Sequence, residues 1–182
     1  MRTQRSPIRQ AVTRTFAFID IVGSTSLIDS IGDWAWVELL SWHERTLGVL
    51  FERHGGELVD QAGDGFFVAF ADPAAAITCA AAIQRVLAQL RRANSFALDV
   101  RIGLHRAGVL RCGAAYRGKG VHVAARIARL AGGGEILASR DAVEASGTSV
   151  AASVSRAVEL AGISEPVHVQ RIEWSRDVVS QS

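Results

Sequence analysis

The sequence predicts an α+β domain in which helices cover one face of an antiparallel sheet. Three observations support this class. Residues 14–22, RTFAFIDIV, are rich in aromatic and β-branched side chains, as strands are. Residues 57–70, ELVDQAGDGFFVAF, read as two short strands around a tight turn. Residues 72–92 follow as a long alanine-rich helix, so the first part of the chain fits a βαββαβ order.

Two helices are predicted between the first strand and the hairpin. The segment STSLIDSI forms a short helix with Ser24 or Thr25 near its N-cap. Asp33 can cap a second helix, in which apolar residues recur at helical spacing as far as Phe51. That helix is expected to end at HGG, residues 54–56.

The second half of the chain alternates between strands and helices. The helix at 72–92 has Asp72 as its cap and Pro73 in its first turn. The elements expected after it are a strand at 96–105, a helix at 120–132, a strand at 135–139 and a strand at 166–174.

Length and composition indicate one domain. Of the 182 residues, we expect 1–12 to be a basic flexible tail, 13–175 the domain and 176–182 a second flexible tail.

The net charge of +2 is too small to indicate a nucleic-acid partner. No apolar run reaches the ~18 residues that span a membrane, so no membrane insertion is expected. A polar N-terminus and two cysteines without metal spacing favour the cytoplasm.

Two aspartates occupy positions that suit a metal or a polar ligand. Asp20 is an acid in an otherwise apolar strand, just before a Gly-Ser-Thr turn that opens a helix, and a helix N-terminus suits phosphate. Asp64 lies in the hairpin turn between two glycines. If the first strand lies beside the hairpin, the carboxylates converge and could hold a cation and a nucleoside triphosphate. The residues alone leave open that Asp64 only shapes the turn and Asp20 only caps the helix.

A helical pair further along the chain offers charge and hydrogen bonds. His122 and Arg126 are four residues apart and therefore share one helix face. A guanidinium is suited to stabilising charge on a transferring phosphoryl group. The alternative is an ordinary solvated arginine.

Five segments together resemble the class III nucleotidyl cyclases, the family of adenylate and guanylate cyclase catalytic domains. They are FAFIDIVGST, HGGELVDQAGDGFFVAF, VRIGLH, GKGVHVAARIARLAGGGEILAS and ISEPVHVQRI, and they span nearly the whole chain in the family's order. The resemblance implies a ferredoxin-like catalytic core and a bacterial enzyme. It also implies a homodimer with two composite sites at the interface.

The resemblance also assigns site residues. Asp20, the backbone of Ile21 and Asp64 would hold two divalent ions, Mg²⁺ or Mn²⁺. The Gly23–Thr25 turn would cradle phosphates.

Two further roles fall to the helical pair. Arg126 of the other chain would stabilise the transition state, and His122 would replace the asparagine that orients the ribose. The implied reaction is attack of the ribose 3′-oxygen on the α-phosphorus of a nucleoside triphosphate, which gives a 3′,5′-cyclic nucleotide and pyrophosphate.

The chain departs from the family pattern at three positions. Asp60 stands where adenylate cyclases have a lysine that donates to the purine, and Ala115 replaces the partner acid. Ala161 replaces a phosphate-binding lysine. The cations that could substitute for that lysine are Lys119, Arg117 and Arg111.

These departures bear on which base is accepted. A carboxylate at Asp60 only accepts hydrogen bonds, so it suits an N–H on uracil, cytosine or guanine better than N1 of adenine. Arg106 could add a donor to a base carbonyl. The sequence therefore favours the pyrimidine cyclases of bacterial antiphage signalling, with UTP converted to cUMP first and CTP to cCMP second. The alternatives are a guanylate or adenylate cyclase with atypical base contacts, and a degenerate domain that binds a nucleotide or a partner without catalysis.

Overall fold

The computed structural model describes residues 9–93, 98–147 and 151–175. The chain is built around a mixed eight-stranded sheet. Its strands lie in the order β2-β3-β1-β4-β6-β8-β7, with β5 paired to β4. Only the β4–β6 pair is parallel among the described strand pairs. The elements are β1 (Arg9–Ile21), α1 (Ser24–Ile31), α2 (Asp33–Arg53), β2 (Gly56–Ala62), β3 (Gly65–Phe70), α3 (Pro73–Ala93), β4 (Val100–Cys112), β5 (Ala115–Arg117), α4 (Lys119–Leu130), β6 (Ile136–Ser139), α5 (Arg140–Ala145), β7 (Arg156–Val158) and β8 (Val167–Arg171).

The central strands are longer than the sequence predicts. β1 begins at Arg9, so residues 9–12 belong to the sheet and not to the tail expected at 1–12. They pair with the end of β4, which continues to Cys112 beyond its predicted end at residue 105. Each of these two strand extensions supplies the backbone hydrogen-bond partners that stabilise the other. Residues 1–8 and 176–182, where tails are expected, lie outside the described residues.

Helices cover both faces of the sheet, which corrects the expectation of helices on one face. On one side, α2 and α3 pack against β1 through core residues such as Ala17 and Ile19. On the other side, α4 packs against Phe16 through Ala124. Both faces of β1 are therefore buried, which explains its nearly continuous apolar run.

The contact between β4 and α4 is close enough to require a glycine. A Cβ at Gly103 would lie 2.2 Å from the backbone nitrogen of Ala128. The missing side chain lets the helix sit directly on the strand and fixes the position of α4 on the sheet.

By length and composition alone, the helix α3 is long and apolar enough to cross a membrane. No such segment was expected from the sequence. Its apolar residues, among them Ile83 and Leu87, lie in the core under the sheet. Cys79 is buried there as predicted, and its thiol donates to the carbonyl oxygen of Leu50 at 3.6 Å. α3 is therefore the core helix of this domain.

Candidate active site

The pairing of β1 with β3 brings the two predicted carboxylates to one end of the sheet. Ile19 pairs with Phe66, so the next residue of β1, Asp20, lies opposite Gly65, which directly follows Asp64. A Cβ at Gly65 would lie 3.7 Å from Oδ1 of Asp20, so the turn closely approaches that carboxylate. The register thus brings the backbones of the two aspartates to the same end of the sheet.

The two carboxylates differ in their partners. Oδ2 of Asp20 accepts from Nε of Arg101 at 3.0 Å and also from the Nη2 group of that arginine. Oδ2 of Asp64 is buried and accepts no hydrogen bond from the residues that the structure describes. A buried carboxylate oxygen without a donor is costly in a folded protein unless a cation meets it. This orphaned oxygen fits a divalent cation.

The ligand set that this end of the sheet offers is small and made of oxygen. Within the described ranges there is no group of three or more His, Cys, Asp or Glu side chains placed to hold a metal. A Mg²⁺ ion held by two carboxylates and a backbone carbonyl, such as that of Ile21, would keep coordination positions open for a triphosphate. Proteins commonly bind Mg²⁺ in this way.

The turn after β1 starts the helix α1 without a side-chain cap. Gly23 is the N-cap residue in a left-handed conformation (φ 70°), and no side chain bonds the first turn. Ser24 and Thr25 are the first two helical residues and so lie near the N-cap as expected, although neither side chain caps the helix. The first N–H groups therefore have no side-chain cap and lie next to Asp20 in the chain, in a position suited to an anion.

A cavity of about 290 Å³ opens beside Asp20, and Asp64 is not among the residues that line it. Asp20, Asp60 and Arg101 line it, together with the aromatic rings of Phe18 and Phe67, which stack with centroids 4.6 Å apart. The sequence placed Asp60 in a nucleotide site, and the structure brings it to the same cavity as the carboxylate at the end of β1.

A β-bulge directs Asp60 toward this cavity. The register of β2 on β3 shifts between Leu58 and Asp60. Glu57 pairs with Ala69 and Asp60 with Phe67, and both partners lie on the sheet face that α4 covers. Bulges re-aim side chains in this way next to functional sites.

Arg106 is not brought to the cavity, which corrects its expected role at the base. It pairs with Thr15 on β1 and lies on the same face of β4 as Ile102 and Leu104, whose side chains belong to the core under α3. Asp60 lies on the opposite face. The Nη1 atom of Arg106 is buried without a hydrogen-bond partner.

Arg126 and His122 lie on α4 away from the carboxylates. The guanidinium of Arg126 would be 3.4 Å from a Cβ at Gly162, which directly follows Ala161. His122 is exposed, and neither residue lines the cavity that Asp20 lines. One copy of the chain therefore displays Asp20 and the Arg126 guanidinium at separate places, although Arg129, one turn further along α4, lines the cavity with Asp20.

Sequence reasoning missed residues that the structure shows at the site. Arg101 is one, and its place in VRIGLH, a charge within an alternating strand, was the available signal. Glu57 and Tyr116 are two more, and they form a polar group beside Ala115 with Arg111, which the sequence suggested only as a substitute for the phosphate-binding lysine. Glu57 and Tyr116 are 59 residues apart in the chain, so no local pattern could have joined them.

Comparison with known proteins identifies the class of protein to which this domain belongs. The family model for the adenylate and guanylate cyclase catalytic domain matches residues 8–169, and the chain belongs to that family. This confirms the family that the five sequence segments indicated.

Individual relatives agree with this assignment. A putative adenylate cyclase 3 of Rhizobium meliloti (strain 1021) is 29% identical over 136 residues, which is 72% of this chain but 23% of that protein's length. The adenylyl cyclase CyaB of P. aeruginosa superposes with a TM-score of 0.83 at 23% identity, over 93% of this chain and 97% of its own. The guanylyl cyclase Cya2 gives 0.82 at 22% identity, over 92% and 94%. These structural likenesses confirm the predicted α+β fold.

Proposed function

We propose that this chain converts a nucleoside triphosphate to a 3′,5′-cyclic nucleotide and pyrophosphate, and that its base pocket does not favour adenine. The observation that carries the proposal is the orphaned buried oxygen of Asp64 next to Asp20, at the end of the strand that leads into the uncapped helix α1. A carboxylate pair, a cation and a helix N-terminus suit a triphosphate.

The family uses divalent metals, and Asp20, Asp64 and the carbonyl of Ile21 would hold two Mg²⁺ or Mn²⁺ ions here. Bound there, such ions lower the pKa of the 3′-hydroxyl and neutralise charge on the triphosphate. The Gly23–Thr25 turn offers N–H groups to the phosphates. Arg101 competes with the cation for Asp20 and, once displaced, is free to contact a phosphate in the same cavity.

Catalysis in this proposal needs two copies of the chain. The 3′-oxygen attacks the α-phosphorus, its proton passes to solvent, and the bond to pyrophosphate breaks, with the bonding electrons leaving on pyrophosphate. Arg126 from a second copy stabilises the charge that develops, and His122 from that copy orients the ribose. The separation of Arg126 from the carboxylates within one copy supports this homodimer with two composite sites.

The base preference is argued from Asp60. It is exposed, it lines the cavity, and its Oδ1 already accepts from the backbone N–H of Gln61 at 2.9 Å. An acceptor facing adenine N1 would leave a polar group unpaired, at about 1–3 kcal/mol. Uracil and guanine each offer a ring N–H instead, and cytosine offers its exocyclic amine. The relatives are named for adenine and for guanine at almost the same TM-score, so the fold leaves the base open.

We rank UTP first and CTP second, with GTP or ATP through atypical contacts as the alternatives. In that ranking the product is cUMP or cCMP, a second messenger of antiphage defence made in the bacterial cytoplasm. The ranking rests on Asp60 together with the small Ala115, since Arg106 lies on the other face of the sheet.

The test is a product assay with each of the four nucleoside triphosphates separately, in Mn²⁺ and in Mg²⁺. We expect a cyclic nucleotide other than cAMP to dominate, and Asp64→Asn to abolish it without lowering the free energy of unfolding. Asp60→Lys should shift the preference toward ATP, because it restores a donor. Cyclic AMP as the main product of the unchanged chain would refute the base assignment.

A second candidate function is nucleotide binding without catalysis. Ala161, exposed beside the Arg126 guanidinium, stands where a phosphate-binding lysine is expected, and that loss favours a degenerate domain. The same assay separates the two, because a degenerate domain binds a nucleoside triphosphate and forms no cyclic product with any of them.

A further inference from the structure

A polar cluster links β2 to the β4–β5 hairpin. The Tyr116 hydroxyl donates to Oε2 of Glu57 at 2.7 Å, and Nη2 of Arg111 donates to Oε1 of Glu57 at 2.8 Å. The guanidinium of Arg111 also lies 5.5 Å from the centre of the Tyr116 ring, a cation–π distance. We name Glu57, Arg111 and Tyr116 the Glu57 clasp.

The clasp reaches across the sheet. β3 and β1 separate β2 from β4, so the hairpin has to fold over the face of the sheet for its side chains to meet Glu57. Tyr116 is buried and packs edge-on against Phe16 of β1, with ring centroids 5.4 Å apart. Burial, then the hydrogen bond and charge of Glu57, raise the pKa of Tyr116, so its hydroxyl stays a donor. The hairpin is thus held in one position.

Both strands that the clasp joins carry an expected base-reading position. Tyr116 directly follows Ala115, and Glu57 precedes Asp60 by three residues on the same strand. Because of the bulge, Glu57 and Asp60 share a sheet face, about 10 Å apart at most along an extended strand. That spacing spans a nucleobase.

Arg111 has donors to spare in this arrangement. Its Nε donates to the carbonyl of Gly113 at 3.2 Å and its Nη2 to Glu57, while its side chain remains 36% exposed. A guanidinium has further N–H groups in a fixed plane. A donor at Arg111 and an acceptor at Asp60 match the C=O and N–H groups on the ring edge of uracil or guanine. Adenine has no carbonyl for this donor.

We propose that Arg111 is a specificity-determining residue that donates to a base carbonyl, and that Glu57 and Tyr116 are positioning residues that aim it. This inference rests on the proposed cyclase function. It gives Arg111 the donor role that the sequence suggested for Arg106.

The experiment compares Arg111→Met, Glu57→Gln and Tyr116→Phe with the unchanged chain. Arg171→Met is the matched control, because it removes another arginine–glutamate pair, with Glu173 at 2.9 Å. Titration calorimetry measures binding of 3′-deoxy-UTP, 3′-deoxy-GTP and 3′-deoxy-ATP, which cannot cyclise, in Mn²⁺. Product assays give KM and kcat for UTP, GTP and ATP, and thermal unfolding confirms that each variant is folded.

Arg111→Met should lower the preference for the carbonyl-bearing base over adenine by about tenfold, through Kd and KM with little change in kcat. Glu57→Gln and Tyr116→Phe should lower it by about threefold, because Arg111 remains but is less fixed. Arg171→Met should leave the ratio unchanged. An unchanged ratio in folded Arg111→Met overturns the inference.

The same data separate the two proposals. If the unchanged chain binds these analogues but forms no cyclic product from any triphosphate, the cyclase proposal fails and the Kd ratios alone decide the role of Arg111. If it forms product and Arg111→Met keeps the ratio, the cyclase proposal stands and the clasp inference fails. If it binds none of the analogues, both fail.

Discussion

Replacing Gly103 with alanine should displace α4. The effects of that displacement on stability and on catalysis can be measured separately. The added Cβ would lie 2.2 Å from the backbone nitrogen, 2.5 Å from Cα and 2.7 Å from Cβ of Ala128. Ordinary contacts are about 3.5 Å, so the helix has to move by about 1 Å. Overpacking of this kind costs about 1–3 kcal/mol.

The displacement should reach catalysis because α4 carries Arg126. A misplacement of about 1 Å typically costs on the order of 100-fold in rate. Gly103→Ala should therefore lower both the urea midpoint and the cyclase kcat. Gly108→Ala is the matched control: it lies on the same strand, and a Cβ there meets nothing within 4 Å.

A second substitution sharpens this test. Ala128→Gly in the Gly103→Ala background removes only the most distant of the three crowded atoms, so it should not restore stability or rate. The reasoning is refuted if Gly103→Ala unfolds at the same urea concentration as the unchanged chain and keeps its activity, or if Gly108→Ala is equally damaging.

Three other predictions concern acid stability, metal competition and assembly. Burial lowers the pKa of His43 from 6.5 to about 4, so the free energy of unfolding should fall by up to about 3 kcal/mol as pH falls between those values. His43→Leu should remove that pH dependence in urea titrations, and the exposed His168→Leu should retain it. Arg101→Met should raise KM for the triphosphate. It should also lower the half-saturating Mn²⁺ concentration by about fivefold, because the Arg101 guanidinium no longer competes with the metal for Asp20. A higher Mn²⁺ requirement would contradict this. Equal mixing of inactive Asp20→Ala and Arg126→Ala chains should recover about a quarter of the unchanged activity, since half of the dimers then hold one intact site. No recovery after subunit exchange would argue against shared sites.

The carboxylate pair could be predicted because its signal is local. Asp20 sits in an apolar strand and Asp64 in a glycine-flanked turn, and one hairpin beside one strand is enough to bring them together. The helices α1 to α4 were equally visible, since each carries a helical apolar pattern. Short elements such as β5 and α5 were missed, because three or six residues carry too little periodicity.

The sheet face on which each candidate base-reading residue lies could not be predicted, because sheet register decides it. Alternation along a strand sends neighbouring side chains to opposite faces, so a single position determines whether Arg106 faces a ligand or a core. For Asp60 the deciding feature is the bulge between Leu58 and Asp60, which no sequence pattern predicts. Arg111 meets Glu57 only because the hairpin folds across two strands.

The connections among these parts explain why a site shared between copies can still be well aligned. Arg126 lies on α4, α4 rests on β4 at Gly103, and β4 pairs along its length with β1, which carries Asp20. The carboxylates and the guanidinium of one copy therefore hold a fixed relation, although the proposed mechanism assigns them to different sites. In a twofold dimer, any change that moves α4 on the sheet alters both sites equally. A tight glycine contact far from the chemistry is thus as necessary to the proposed reaction as the charged groups it positions.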